Sequence, residues 1–148
     1  METTKQRPAL QSILFILKDC IDSFDSLKEL DRFHKQIMLM KSEQREALPI
    51  SSHLIPHIIG AVRDHFCIRL RNLVDPREDS YSLKEYYTEP QIKKLEGHPI
   101  MSSAIKAAKK NVAHIDKEYT QWPSVESILS SDIKEILETI RVSIWLTR

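Results

Sequence analysis

Gly60 and Gly97 are the only glycines in a chain of 148 residues. A sheet protein of this length draws on glycine for the tight turns between strands and shows segments in which polar and β-branched apolar residues alternate. Such alternating runs are almost absent here, whereas apolar residues recur three and four positions apart along most of the chain. The expected fold is therefore all-α, an up-and-down helical bundle of four to five main helices with a short helical insertion. The length is that of one domain, so residues 1–148 are read as a single helical unit around one core.

The helices can be placed from their caps and breaks. Pro8 suits the first turn of a helix whose apolar face is Leu10, Ile13, Leu14, Leu17, Ile21 and Phe24. A second helix covers Ser26 to about Glu46, with Leu27, Leu30, Phe33, Ile37 and Met38 on its apolar side. Neither proline nor glycine separates the two, so they are either distinct or one long bent helix. The stretch "LPISSHLIPHIIG" holds the next break, with Ser51 or Ser52 as N-cap of a central helix from about Leu54 to Val74. The loop "DPREDSYS" follows. Ser82 with Glu85 reads as a capping box for a short helix at "LKEYY", and Thr88 with Gln91 as a second, with Pro90 at its first position and Gly97 as the stop. Pro99 opens a helix that carries "KKNVAHIDKEY" and ends near "TQWPS". A last helix, about Asp132 to Leu146, turns Ile133, Ile136, Leu137, Ile140 and Trp145 inward.

Composition and motif absences narrow the function. With 22 basic and 21 acidic residues the overall field cannot attract nucleic acid, so any such binding needs a local basic patch. Cys20 and Cys67 fit neither a zinc site nor a disulfide framework, and the N-terminus lacks the order of a signal peptide, which leads to the expectation of a cytoplasmic protein. No apolar run approaches the length of a membrane span, and no membrane association is expected. There is no glycine-rich phosphate loop, no Ser-His-Asp order, no CxxC pair and no HExxH. His53 and His57 are four apart, with His65 two turns on, but Pro56 intervenes and no carboxylate or cysteine completes a tetrahedral set. Neither a metal nor a cofactor is expected.

The stretch "KKNVAHIDKEY" carries the chemistry. On a helix, Lys110 and His114 share a face one turn apart, Asn111 lies three residues from His114, and Lys109 is rotated from it by about 140°. His114 thus borders the polar and apolar stripes. A histidine that titrates near neutrality suits the general base for an alcohol, and an adjacent lysine suits charge developing on a phosphorane. The plainer alternative is a histidine that packs against a neighbouring helix and makes one hydrogen bond. Lys93, Lys94, Lys106, Lys109 and Lys110 are the only local basic concentration, which two copies of the chain would double into a groove for an RNA backbone. Arg63, Asp64, Arg69 and Arg71 form a stripe on the central helix, read as a salt-bridged face, or else with Arg69 paired to Asp75 or Asp116. Tyr86, Tyr87, Tyr119 and Trp122 suit either base stacking or the core.

The segment "HFCIRLRNLVDPREDSYSLKEYY", followed some twenty residues later by "KKNVAHIDKEY", resembles the HEPN superfamily of α-helical domains, in its branch of AbiU-like abortive-infection proteins. The matching positions are Arg69, Leu70 and Asp75, then Ser82 and Leu83, then Ala113, His114 and Asp116, and the likeness spans roughly residues 54 to 120. The resemblance implies a bundle that dimerises through its motif helices and works in a prokaryotic defence or toxin–antitoxin setting. It further implies a metal-independent endoribonuclease whose histidine activates the ribose 2′-hydroxyl while an arginine four to six residues before it stabilises the transition state. The implied catalytic set is His114, Lys109, Lys110, Asn111 and Asp116, and the implied RNA contacts are Lys106, Lys109, Lys110, Arg69 and Tyr119. The chain departs from the pattern at the arginine: the three allowed positions hold Lys109, Ala108 and Ala107. Lysine keeps the charge and lacks the planar fork. The alternative expectation is a degenerate HEPN bundle that binds a protein or nucleotide, with a nucleotidyltransferase or another defence protein as partner.

Overall fold

The computed structural model of the chain describes residues 6–113 and 121–147. Among these there is no strand, and the elements in order are α1 (Gln6–Met38), α2 (Ser42–Glu46), α3 (Leu54–Leu73), a 3₁₀ turn (Leu83–Glu85), α4 (Glu89–Glu96), α5 (Pro99–Ala113), α6 (Val125–Ser130) and α7 (Ile133–Thr147). The all-α bundle expected from the sequence is the observed architecture.

The first two expected helices are one. With no breaker near Ser26 the backbone ladder runs on for 33 residues, about 50 Å of helix. It ends at Met38, earlier than the expected Glu46, where Leu39 and Met40 donate back three residues to Gln36 and Ile37 in a tightened last turn. Phe33 and Met38 were expected on the buried side and are 43% and 55% exposed. Another side of α1 turns inward here: Ile37, one turn past Phe33, is fully buried, whereas Phe33 borders a surface hollow with Val62 of α3.

α1 packs along α3 and α7, and α3 packs along α5. Asp19 of α1 meets His65 and Arg69, while Ser26 shares a hollow with Ile58 and Val62, so α3 runs antiparallel to α1. Asp25 meets Lys134 at 2.6 Å and Leu14 borders Trp145, so α7 is also antiparallel to α1. The buried apolar side chains form one continuous cluster. At its centre Phe24 and Phe66 pack edge to face, ring centroids 6.1 Å apart. Cys20 and Cys67 are free and buried in the same layer. Burial pushes both thiols up, Cys67 to about 12.

Local chemistry explains the smaller elements. The Thr88–Gln91 capping box forms as expected, although α4 begins one residue early and Pro90 is its second residue. Ser82 and Glu85 do not form a box. Ser82 Oγ instead accepts from Lys84 N–H and donates to the Asp75 carbonyl at 2.7 Å, which winds a 3₁₀ turn. Neither Ser51 nor Ser52 is the N-cap of α3; that position is His53, and Ser51 accepts from the His53 and Leu54 N–H groups just before the helix. α6 was not expected at all. Its signal is Ser124, whose Oγ accepts from Ser127 N–H. Trp145, expected inside, is 51% exposed near the end of α7.

Candidate nucleic-acid interface

α5 is unusual for its charge. Its fifteen residues include Lys106, Lys109 and Lys110 and no aspartate or glutamate. Ile100, Met101, Ala104, Ala107 and Ala108 are buried, which fixes the helix's inward face. The three lysines are exposed on the opposite arc. Of the lysines elsewhere, Lys18 pairs with Asp22, Lys35 with Asp31, Lys93 with Glu89 and Lys134 with Asp25, all within 3.1 Å, whereas Lys28, Lys41, Lys84 and Lys94 make no ion pair among the described residues. Among the described residues Lys106, Lys109 and Lys110 make no ion pair. Cations in a last helical turn complement the helix dipole, which is worth a few tenths of a kcal/mol and accounts for Lys110 but not for Lys106 or Lys109. Asn111 is half-buried, and Lys93 and Lys94 are exposed on α4. His114, Asp116 and Tyr119 lie outside the described residues.

Register tells where this end of α5 lies. His98, just before α5, bonds Asp132 at 2.6 Å, and Asp132 immediately precedes α7. The start of α7 is level with Asp25 of α1, which in turn is level with the N-terminal half of α3 near Ile58. α5 thus starts beside the first half of α3. Since it packs along α3, it must run in the same direction and finish near the last turn of α3, where Arg71 lies. The three alanines on its buried face let the two backbones approach closely.

The loop after α3 is built on Asp75. Its side chain is 5% exposed and receives a fork from Arg77, with Nε at 3.0 Å and an NH2 nitrogen at 2.7 Å, and a further bond from Ser80 Oγ. The Arg77 hydrogen bonds hold the Asp75 carboxyl down at about 2. Lys84, in the 3₁₀ turn that closes the loop, has its Nζ enclosed without a hydrogen-bond partner among the described residues.

Arg69 goes elsewhere than expected. It pairs with neither Asp75 nor, among the described residues, any group near α5. Its Nε donates to Asp19 Oδ2 at 2.6 Å, the same oxygen that lies 2.9 Å from His65 Nε2, and its guanidinium lies over the Phe15 ring, 5.7 Å from the centroid. Asp19 was the missed partner, and only the antiparallel register of α1 and α3 exposes it. His53 and His57 are exposed and apart from this network, and no group of three metal-ligating side chains occurs among the described residues. Tyr87 lines an apolar hollow of about 610 Å³ between α4 and α7, together with Leu83, Ile92, Leu95, Ile136 and Ile140. Trp122 is buried in the core, so it is not a base-stacking platform. No helix among the described residues is long and apolar enough to cross a membrane. No protein-family model, no curated protein and no solved structure matches the chain.

Proposed function

We propose that the chain is a HEPN-like bundle of a defence or toxin–antitoxin type system, which holds single-stranded RNA on the lysine face of α5 and cleaves it without metal. The observation that carries this reading is an acid-free helix presenting three exposed lysines on one arc, with no ion pair among the described residues. Unneutralised cations on one arc are what a polyphosphate backbone requires. His114, just past the described end of α5, takes the 2′-hydroxyl proton; the 2′-oxygen attacks the adjacent phosphorus and the 5′-oxygen leaves with a proton from solvent. The products are a 2′,3′-cyclic phosphate and a 5′-hydroxyl. Lys109 and Lys110 offset the charge on the phosphorane, with Asn111 and Asp116 orienting them. A homodimer doubles the lysine face.

A second reading, a degenerate bundle that binds a protein or nucleotide, has one specific observation in its favour. The arginine carried in the matched motif, Arg69, is held by Asp19 on the far flank of α3. Labelled cellular RNA incubated with the purified protein in EDTA separates the two. Cutting that leaves cyclic phosphate ends, disappears in His114→Gln and weakens steeply in a Lys106→Ala, Lys109→Ala, Lys110→Ala triple variant is the expected result. RNA binding without cutting supports the degenerate bundle, and no RNA binding sinks the proposal.

A further inference from the structure

We infer that Arg71, on α3, is the guanidinium that α5 lacks, and that it grips the same backbone phosphate as Lys110. This rests on the RNA-binding reading of α5. Arg69 and Arg71 are two residues apart on one helix, so their side chains leave its axis about 200° apart. Arg69 faces α1, where Asp19 holds it. Apart from α1, the helix that packs extensively along α3 is α5, so Arg71 stands on the α5 flank. The level is set independently. α5 starts at the His98–Asp132 bond, runs with α3, and brings Lys109 and Lys110 beside the last turn that contains Arg71.

Arg71 is half-buried and, among the described residues, its guanidinium has no hydrogen bond or ion pair. Two acidic groups close to it along the chain, Asp64 and Asp75, are already taken. Asp64, two turns earlier on the same flank, accepts from Arg63 at 3.0 Å, and Asp75 is held by Arg77 at 2.7 Å. A guanidinium has five N–H donors in a planar fork. An anion with two oxygens in one plane fits that fork, and a phosphodiester presents such a pair. Arg71 then supplies direction and Lys110 supplies charge. In the cleavage step the same pair faces the two non-bridging oxygens on which charge accumulates. It makes and breaks no bond itself.

The test is the affinity of a fluorescein-labelled single-stranded RNA, read by anisotropy at two salt concentrations, for wild type, Arg71→Gln, Arg71→Lys and Arg141→Gln. Arg141 is an exposed arginine on α7 that also has no partner among the described residues, and it serves as the control. Arg71→Gln is expected to weaken binding roughly tenfold and to reduce the salt slope by about one phosphate contact, with Arg71→Lys recovering the slope but only part of the affinity. Arg141→Gln is expected to bind like wild type. If the lysine triple variant loses RNA while Arg71→Gln keeps wild-type affinity, the Arg71 assignment is overturned and the RNA reading stands. Equal losses in Arg71→Gln and Arg141→Gln overturn it as well, since they mark a diffuse field. A wild type that binds no RNA overturns both. Should Arg71→Gln fail to fold, Arg71→Lys decides: wild-type affinity with lysine removes any need for the fork.

Discussion

The two flanks of α3 handle the same side chain in opposite ways. On the flank toward α1, Arg69 has a carboxylate at 2.6 Å, a histidine sharing that oxygen and an aromatic ring beneath it. On the flank toward α5, Arg71 has none of these among the described residues, and the helix beside it contributes three more cations. A charge compensated from within belongs to the architecture, and a charge left uncompensated marks where a counter-charge from outside fits. The difference is therefore between a flank whose variants change stability and one whose variants change binding.

The face between the flanks sets the scale. Phe66→Ala removes the ring that packs on Phe24 and should cost about 3–5 kcal/mol in urea unfolding, abolishing any distinction between flanks by loosening both. Ala107→Leu forces bulk between α3 and α5 and should cost about 1–3 kcal/mol, with RNA affinity falling because the lysine end is displaced. Asp75→Ala strips the Arg77 fork and should cost about 2 kcal/mol at neutral pH. Because the folded carboxyl is depressed from 3.8 to about 2, the stability it contributes is complete above the ordinary value and lost as pH falls through about 2; the gap between wild type and variant should stay flat above pH 5 and close on acidification. Asp19→Asn should cost about 1 kcal/mol, since both partners of that pair are about a quarter exposed, and should leave RNA affinity unchanged. Arg71→Gln should shift stability by less than about 0.5 kcal/mol. A large stability loss in Arg71→Gln, or an RNA defect in Asp19→Asn, would erase the contrast between the flanks.

Much of the fold was legible because it is a matter of period and punctuation. Helical spacing, two glycines and the Thr88–Gln91 box depend on neighbours within one turn, and the structure keeps them. What failed depends on partners far along the chain. Nothing around Phe33 shows that Ile37, one turn on, will be the buried residue instead, and nothing around Arg69 shows that Asp19, fifty residues earlier, will reach it. Ser82 caps the turn as its position suggested, accepting from Lys84 N–H without the reciprocal Glu85 bond of a box, and the Asp75 carbonyl that takes its hydroxyl proton could not be read from that spacing. The lysines of the site could be read from the sequence since they share one helix. Arg71 could not be singled out from its neighbours Arg63 and Arg69 until the flanks of α3 were known.

The alanine face of α5 has a mechanical meaning. Large side chains interlock like gear teeth and index one helix against another at every turn, whereas Ala104, Ala107 and Ala108 present a nearly smooth rail. A rail transmits displacement along its length, so the position of the lysine end is set largely where α5 is pinned, at the His98–Asp132 bond just before its first turn. The far end of the helix is thereby a tuning screw for the proposed phosphate grip, adjustable without touching Arg71 or any of the three lysines.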